Sequence, residues 1–310
     1  MSVRSTFEFI LLSLLWGVSF LMMRVAVPEF GPVAMVSVRL GLAALCLLPI
    51  LVVKNLFQDL MRHYQSIMVV GLFNSLIPFC LLGFASLTFT AGYTSIINAT
   101  TSLWAAVVGI VVLRVRLSGL AYLGLGLGFF GVVAMVWRDL GGLESAQNLV
   151  AKDNFVLALI AGLGATLSYG SITLYMKHKM AHVNSLTATC GSLLMGAMVM
   201  APFGIWLWPD VMPSLEAWLA VSVMAIFSTA WGIVLFFRLL REIGPNRAIT
   251  VTYLIPLVGM GCGAIFLDEK VTDSMIIGCV MILLGVGLAT GLIGKKVGKK
   301  AEQSGSQQSN

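Results

Sequence analysis

The sequence predicts an all-α integral membrane protein of ten transmembrane helices, arranged as two inverted five-helix repeats. Composition, segment length and internal repetition predict it. Of the 310 residues, 59% are hydrophobic and only 10% are charged, which is more apolar surface than an ordinary soluble domain of this length can bury. The apolar runs are continuous rather than alternating, so they are predicted to cross about 30 Å of hydrocarbon as helices and not as the strands of a β-barrel.

Ten apolar segments are predicted to span the membrane. No cleavage site follows the first of them, so we expect that helix to be retained rather than removed as a signal peptide. The organisation predicted is a first five-helix unit (1–137), an external linker (138–153), a second five-helix unit (154–293) and a basic and polar cytoplasmic tail (294–310). The predicted spans are 7–27, 32–53, 66–87, 91–113, 118–137, 154–176, 184–208, 216–238, 247–268 and 273–293.

The second unit repeats the first about 154 residues later. Trp16 aligns with Tyr169 at an offset of 153, and Gly131 aligns with Gly285 at an offset of 154. An odd number of crossings in each unit makes the second unit enter the bilayer from the opposite side. Such a pair is related by an axis in the membrane plane, which is how many alternating-access carriers are built.

The positive charges predict the orientation of these crossings. With both termini in the cytoplasm, 14 of the 19 Lys and Arg residues fall in cytoplasmic segments and three in external ones. This asymmetry is the positive-inside rule, and it places the protein as a multi-pass protein of the inner membrane. The net charge of +6 is thus a topology signal, and we expect the partners to be the lipid bilayer and a small molecule, with no nucleic acid.

Polar side chains inside predicted spans are the candidates for substrate binding, because an unpaired polar group in hydrocarbon is costly. Arg39 lies about seven residues into the second span. It either lines an aqueous cavity and pairs with an anionic substrate group or is a structural arginine bonded to backbone carbonyls. The other candidates, each of which could instead be a helix–helix contact, are Trp16, Ser19, Asn74, Asn98, Trp104, Ser168, Tyr169, Thr229, Trp231 and Tyr253.

The sequence offers no pattern for metal, cofactor or catalytic chemistry. The five cysteines are dispersed over five spans, and the histidines lie in predicted loops. We therefore expect no metal, no cofactor and no enzymatic activity.

Closely spaced glycines, including Gly124 and Gly128, predict tight helix packing inside the chain; a homodimer face is the alternative.

Several motifs together resemble the drug/metabolite transporter superfamily, in its bacterial EamA-like branch. They are Trp16-Gly17-Val18-Ser19-Phe20, Arg39 with Ala43-Ala44, Ala91-Gly92-Tyr93-Thr94-Ser95-Ile96, Pro256 with Gly263, Leu267 and Glu269, and Gly278 through Gly285-Val286. The resemblance covers residues 7–293 and implies ten helices, a central cavity formed by spans one to four and six to nine, and export of small metabolites or amino acids. Val115 departs from the pattern, since similar proteins carry a glutamate there.

The leading hypothesis is an inner-membrane secondary transporter that exports a small amphipathic metabolite, an amino acid or a related compound, by alternating access. The alternative is an uptake carrier for a vitamin-like or nucleotide-like compound. An intramembrane enzyme or a channel is disfavoured, because no catalytic constellation occurs in the spans and a channel does not require an inverted duplication.

Overall fold

The computed structural model of the protein describes residues 2–145 and 149–292, and these residues form helices and no strand. The predicted tail at 294–310 lies outside the described residues. In chain order the α-helices are α1 (Val3–Val53), α2 (Phe57–Arg62), α3 (Tyr64–Gly71), α4 (Ile77–Ser86), α5 (Ala91–Ala99), α6 (Thr101–Val111), α7 (Gly119–Ser145), α8 (Leu149–Lys179), α9 (Ser185–Trp206), α10 (Leu215–Val223), α11 (Gly232–Ile243), α12 (Pro245–Ala248), α13 (Ile255–Phe266) and α14 (Asp273–Ala289).

The first two predicted spans form one helical run that bends sharply. Gly31 has φ 69° and ψ 161°, outside the helical region, and it divides α1 into arms of residues 3–30 and 32–53. Only glycine adopts this conformation without steric cost, and the flanking Pro28 and Pro32 weaken the helix on both sides. The sequence predicted a break over residues 28–31, and the structure narrows it to one residue.

Other predicted spans are interrupted rather than continuous. Residues Leu72–Leu76 between α3 and α4, and Met224–Trp231 between α10 and α11, are π-helical. Residues Ile249–Tyr253 form a 3₁₀ turn before α13. Pro78 and Pro256, which lack an N–H to donate, stand at the starts of α4 and α13, just after irregular segments.

Lengths and hydropathy match a multi-pass membrane protein. Among the described residues, seven helical stretches are long and apolar enough to cross a membrane, and the bent α1 counts as one of them. Two further apolar stretches, Thr250–Phe266 and Asp273–Ala289, are shorter. Within the stretch predicted as a linker, 138–153, α7 continues to Ser145 and α8 begins at Leu149.

Glycines allow α7 and α14 to pack backbone against backbone. A Cβ atom added at Gly285 would lie 2.5 Å from the backbone nitrogen of Gly128 and 2.6 Å from the carbonyl oxygen of Gly124. Gly131 and Gly278 face each other in the same way farther along the two helices. The closely spaced glycines predicted on the fifth span are thus used inside the chain.

Candidate functional site

The two π-helical segments stand at equivalent places in the two units. Each lies near the middle of a membrane-length helix, Tyr64–Ser86 in the first unit and Leu215–Ile243 in the second. Shifting 72–76 by the repeat offset of 153 gives 225–229, which lies inside Met224–Trp231. A π-helical turn disturbs the regular hydrogen-bond ladder and leaves carbonyl groups free to accept bonds from elsewhere.

The second π segment is hydrogen-bonded by the first arm of α1. The indole nitrogen of Trp16 donates to the carbonyl oxygen of Ser228 at 3.1 Å. The hydroxyl of Ser228 donates in the other direction, to the carbonyl oxygen of Leu15 at 2.6 Å. Trp16 also packs its ring 5.2 Å from that of Phe236 on α11. The predicted site residue Trp16 therefore lies against the second π segment.

The first π segment receives a matching bond from the other unit. Ser168 on α8 donates its hydroxyl proton to the carbonyl oxygen of Phe73 at 2.7 Å. Ser168 and Tyr169 align with Leu15 and Trp16 at the repeat offset. In both units, then, the π segment is contacted by the first helix of the opposite unit.

Arg39, on the second arm of α1, is buried, with 5% of its surface exposed. Its Nε donates to Oγ1 of Thr229 at 3.0 Å, and its guanidinium carbon stands 3.8 Å above the ring centre of Phe79. The hydroxyl of Thr229 in turn donates to the carbonyl oxygen of Met224, inside the π segment, at 3.0 Å. The π-helical turn therefore orients Thr229 so that its oxygen accepts from Arg39.

Tyr169 and Trp16 both pack against the largest buried apolar cluster. Ser19 is also buried, on the first arm of α1. Asn74, within the first π segment, and Asn98, on α5, are half-buried.

Three predicted site residues make their contacts elsewhere. Trp104 packs its ring 5.1 Å from Phe129 on α7, and its indole nitrogen is enclosed without a partner. Tyr253 is within hydrogen-bond distance of Thr290, with their hydroxyl oxygens 3.2 Å apart. Trp231 is 45% exposed and packs beside Phe227 on its own helix. These contacts do not join them to Arg39.

Charged clusters hold α1 at both ends of its first arm. At its start, Glu8 is 3.1 Å from Arg4 and 3.2 Å from Arg238 on α11, while Ser5 donates to Glu242 at 3.0 Å. At its other end, Arg24 donates two bonds to the carbonyl oxygens of Ser86 and Leu87 and lies 3.8 Å from Glu269.

Glu269 also accepts from the backbone nitrogen of Ala91, at 2.9 and 3.1 Å from its two oxygens, where α5 begins. A carboxylate at a helix N-terminus satisfies free N–H groups and favours the helix dipole. Arg24 is thus held by two protein carbonyls and a carboxylate.

Some contacts of the site could not have been read from residue types. Phe79 was not among the predicted site residues, because a phenylalanine in an apolar span carries no signal until a cation stands over its ring. The π segments were also missed, although Pro78, just after the first of them, indicated a disturbed helix.

Comparison with known proteins decides the family. The model of the EamA-like transporter family matches the chain twice, at residues 6–137 and 156–291. The protein belongs to the EamA-like transporter family. It is a membrane transporter built from two copies of the EamA module, and the expected drug/metabolite transporter resemblance is confirmed.

Individual EamA relatives are distant but span nearly the whole chain. The uncharacterized transporter YoaV of Bacillus subtilis (strain 168) is 22% identical over 284 residues, covering 90% of this chain and 94% of its own. A probable amino-acid metabolite efflux pump of Escherichia coli (strain K12) is 22% identical over 288 residues, covering 89% and 91%. A solved crystal structure with 17% identity covers 95% of this chain and 99% of its own with a TM-score of 0.62, so the fold is shared.

Proposed function

We propose that this transporter crosses the inner membrane ten times, as two inverted five-helix repeats with both termini in the cytoplasm. The kink at Gly31 supports two crossings within α1, and the two shorter apolar stretches supply the last two. The two EamA matches and the equivalent π segments support the repeat. The positive-inside distribution of Lys and Arg supports the orientation.

The transporter exports a small amphipathic metabolite, an amino acid or a related compound, by alternating access. One observation carries this proposal: each unit has a π segment that is contacted by the first helix of the other unit, and the buried Arg39 is hydrogen-bonded to the second of these segments. Such a site changes shape when one unit moves against the other, as alternating access requires. The residues that we propose to line the pathway are Trp16, Ser19, Arg39, Asn74, Asn98, Ser168, Tyr169 and Thr229.

The name of the Escherichia coli relative, a probable amino-acid metabolite efflux pump, supports export and this substrate class. An amphipathic substrate suits a site whose polar groups are few and whose walls are aromatic and aliphatic. Trp16, Tyr169 and Phe79 supply such walls next to the hydrogen-bonding groups of Ser168 and Thr229.

Counterflow in proteoliposomes tests transport, with purified protein and a panel of labelled apolar and aromatic amino acids. We expect exchange of at least one member above the level of empty liposomes, and no exchange across the panel contradicts the proposed substrate class.

Growth on toxic amino-acid analogues tests the direction of transport. Expression of an exporter protects cells, whereas expression of an uptake carrier, the alternative direction, makes them more sensitive.

A further inference from the structure

The guanidinium of Arg39 is held in place through its Nε atom and one face of the group. Its Nε donates to Thr229, and the face of the group rests on the ring of Phe79. Within residues 2–145 and 149–292, no aspartate or glutamate lies within ion-pair distance of it. A full positive charge is therefore buried in the bundle without a negative partner from the protein, which is costly in a low-dielectric interior.

The two terminal nitrogens of Arg39 remain free to bind something else. Neither donates to an acceptor in the part of the chain that the structure describes. Neither is sealed off, in contrast to the indole nitrogen of Trp104, which is enclosed and has no partner.

A purely structural arginine looks different in the same protein. Arg24 directs one terminal nitrogen to the carbonyl oxygens of Ser86 and Leu87 and stands beside the carboxylate of Glu269. In the described part of the chain, Arg39 has neither backbone carbonyls nor a carboxylate on its terminal nitrogens. Its orientation is fixed by Thr229 and Phe79, yet its strongest donors are left for a partner from outside the chain.

Two parallel N–H donors on a planar group match the two oxygens of one carboxylate. We propose that Arg39 binds the carboxylate of the substrate through its terminal nitrogens. The transporter then accepts amphipathic carboxylates, zwitterionic amino acids among them, and discriminates against the corresponding amides and amines.

This inference rests on the proposed function, and one assay distinguishes a failure of the proposed function from a failure of the inference. Counterflow of a labelled amino acid is competed with three unlabelled analogues that share its side chain. They are the amino acid itself, its amide, and the amine that lacks the carboxyl group. We expect the wild-type protein to prefer the carboxylate by about 10- to 100-fold, the range that charge-assisted bidentate bonds supply.

The variant Arg39→Gln should lose that preference, because competition by the carboxylate weakens about 10- to 100-fold while competition by the amide changes little. Arg39→Lys keeps the positive charge but lacks the two parallel N–H donors, so it should recover part of the preference for the carboxylate. Lys177→Gln removes an exposed positive charge elsewhere and should match the wild type.

The outcomes are distinct. No exchange by the wild type overturns the proposed function and this inference with it. Exchange in which the amide competes as well as the acid overturns the inference alone. Equal weakening of all three competitors in Arg39→Gln shows a structural arginine. If Arg39→Gln does not fold, Thr229→Val, which frees Nε but keeps the charge, must still reduce the preference for the carboxylate.

Discussion

Trp16 and Ser228 lie 212 positions apart in the chain, yet the indole nitrogen of one donates to the carbonyl oxygen of the other at 3.1 Å. The acceptor is available because Ser228 lies in a π-helical segment, where the regular ladder is disturbed. This bond ties the first arm of α1 to the helix of the opposite unit. Because it joins the two units, it is a contact that movement of one unit against the other would affect.

Replacing Trp16 with Phe removes this donor and keeps an aromatic ring. We expect the apparent free energy of unfolding in mixed micelles to fall by about 0.5–1 kcal/mol, the range found for single hydrogen bonds between membrane helices. We also expect slower transport, measured by counterflow. Trp137→Phe is the matched control, because Trp137 is 79% exposed. Equal effects of the two substitutions would contradict a role for the bond.

Glu269→Gln tests the network that joins the far end of the first arm of α1 to the start of α5. The carboxylate accepts from the nitrogen of Ala91 and stands 3.8 Å from Arg24, with its side chain 12% exposed. Loss of the charge should destabilise the protein by about 1–3 kcal/mol. Thermal unfolding in detergent measures the effect.

The control for Glu269→Gln is Asp268→Asn, in the same turn. Asp268 is exposed and has φ 50°, a conformation that asparagine also tolerates. This substitution removes one negative charge but none of the contacts of Glu269. Should Asp268→Asn destabilise the protein as much, a general loss of negative charge, rather than the network, explains the result.

Gly285→Ala tests the backbone packing of α7 on α14. The added methyl group would meet backbone atoms of Gly124 and Gly128 at 2.5–2.6 Å, and backbone atoms cannot move aside as a flexible side chain can. We expect a loss of about 1–3 kcal/mol from overpacking, read from unfolding in mixed micelles. Gly126→Ala on α7 is the control, since nothing lies within 4 Å of its added Cβ. A Gly285→Ala protein as stable as this control would contradict the packing.

Cysteine labelling tests the inverted arrangement. In a background with the five native cysteines replaced, single cysteines are placed at the exposed positions Lys54, Arg114, Asp210 and Lys270. With an impermeant thiol reagent on intact cells, we expect labelling at 210 and 270 only. The cysteines at 54 and 114 should react after the membrane is opened. Labelling of 54 and 210 from the same side would refute the inverted repeat.

Much of the architecture could be predicted from residue patterns because hydrocarbon imposes strict rules. Long apolar runs must be helical there, so each predicted span overlaps observed helices, and the break predicted over residues 28–31 contains Gly31, where α1 bends. Helix α7 continues beyond its apolar stretch, to Ser145, within the stretch predicted as a linker. Polarity alone does not mark where a helix ends.

The candidate site was predicted less completely. Arg39 was identifiable, because a charge inside an apolar span has few explanations. The choice between a structural and a ligand-binding arginine depended on where Thr229 and Phe79 lie, which is a matter of contacts between distant segments. Trp104 and Tyr253 have the residue type of site residues, but their contacts with Phe129 and Thr290 lie away from Arg39.

The sequence by itself determined that this chain is helical and membrane-bound and that its second half repeats its first, because apolar length and periodic residue identity are local properties of the chain. Only the tertiary structure decided that Trp16 meets Ser228, that Ser168 meets Phe73, and that the terminal nitrogens of Arg39 have no hydrogen-bond partner among the residues that the structure describes. The physical reason is that hydrogen bonds to π-helical carbonyls depend on how helices from opposite halves cross, and no single segment carries that information.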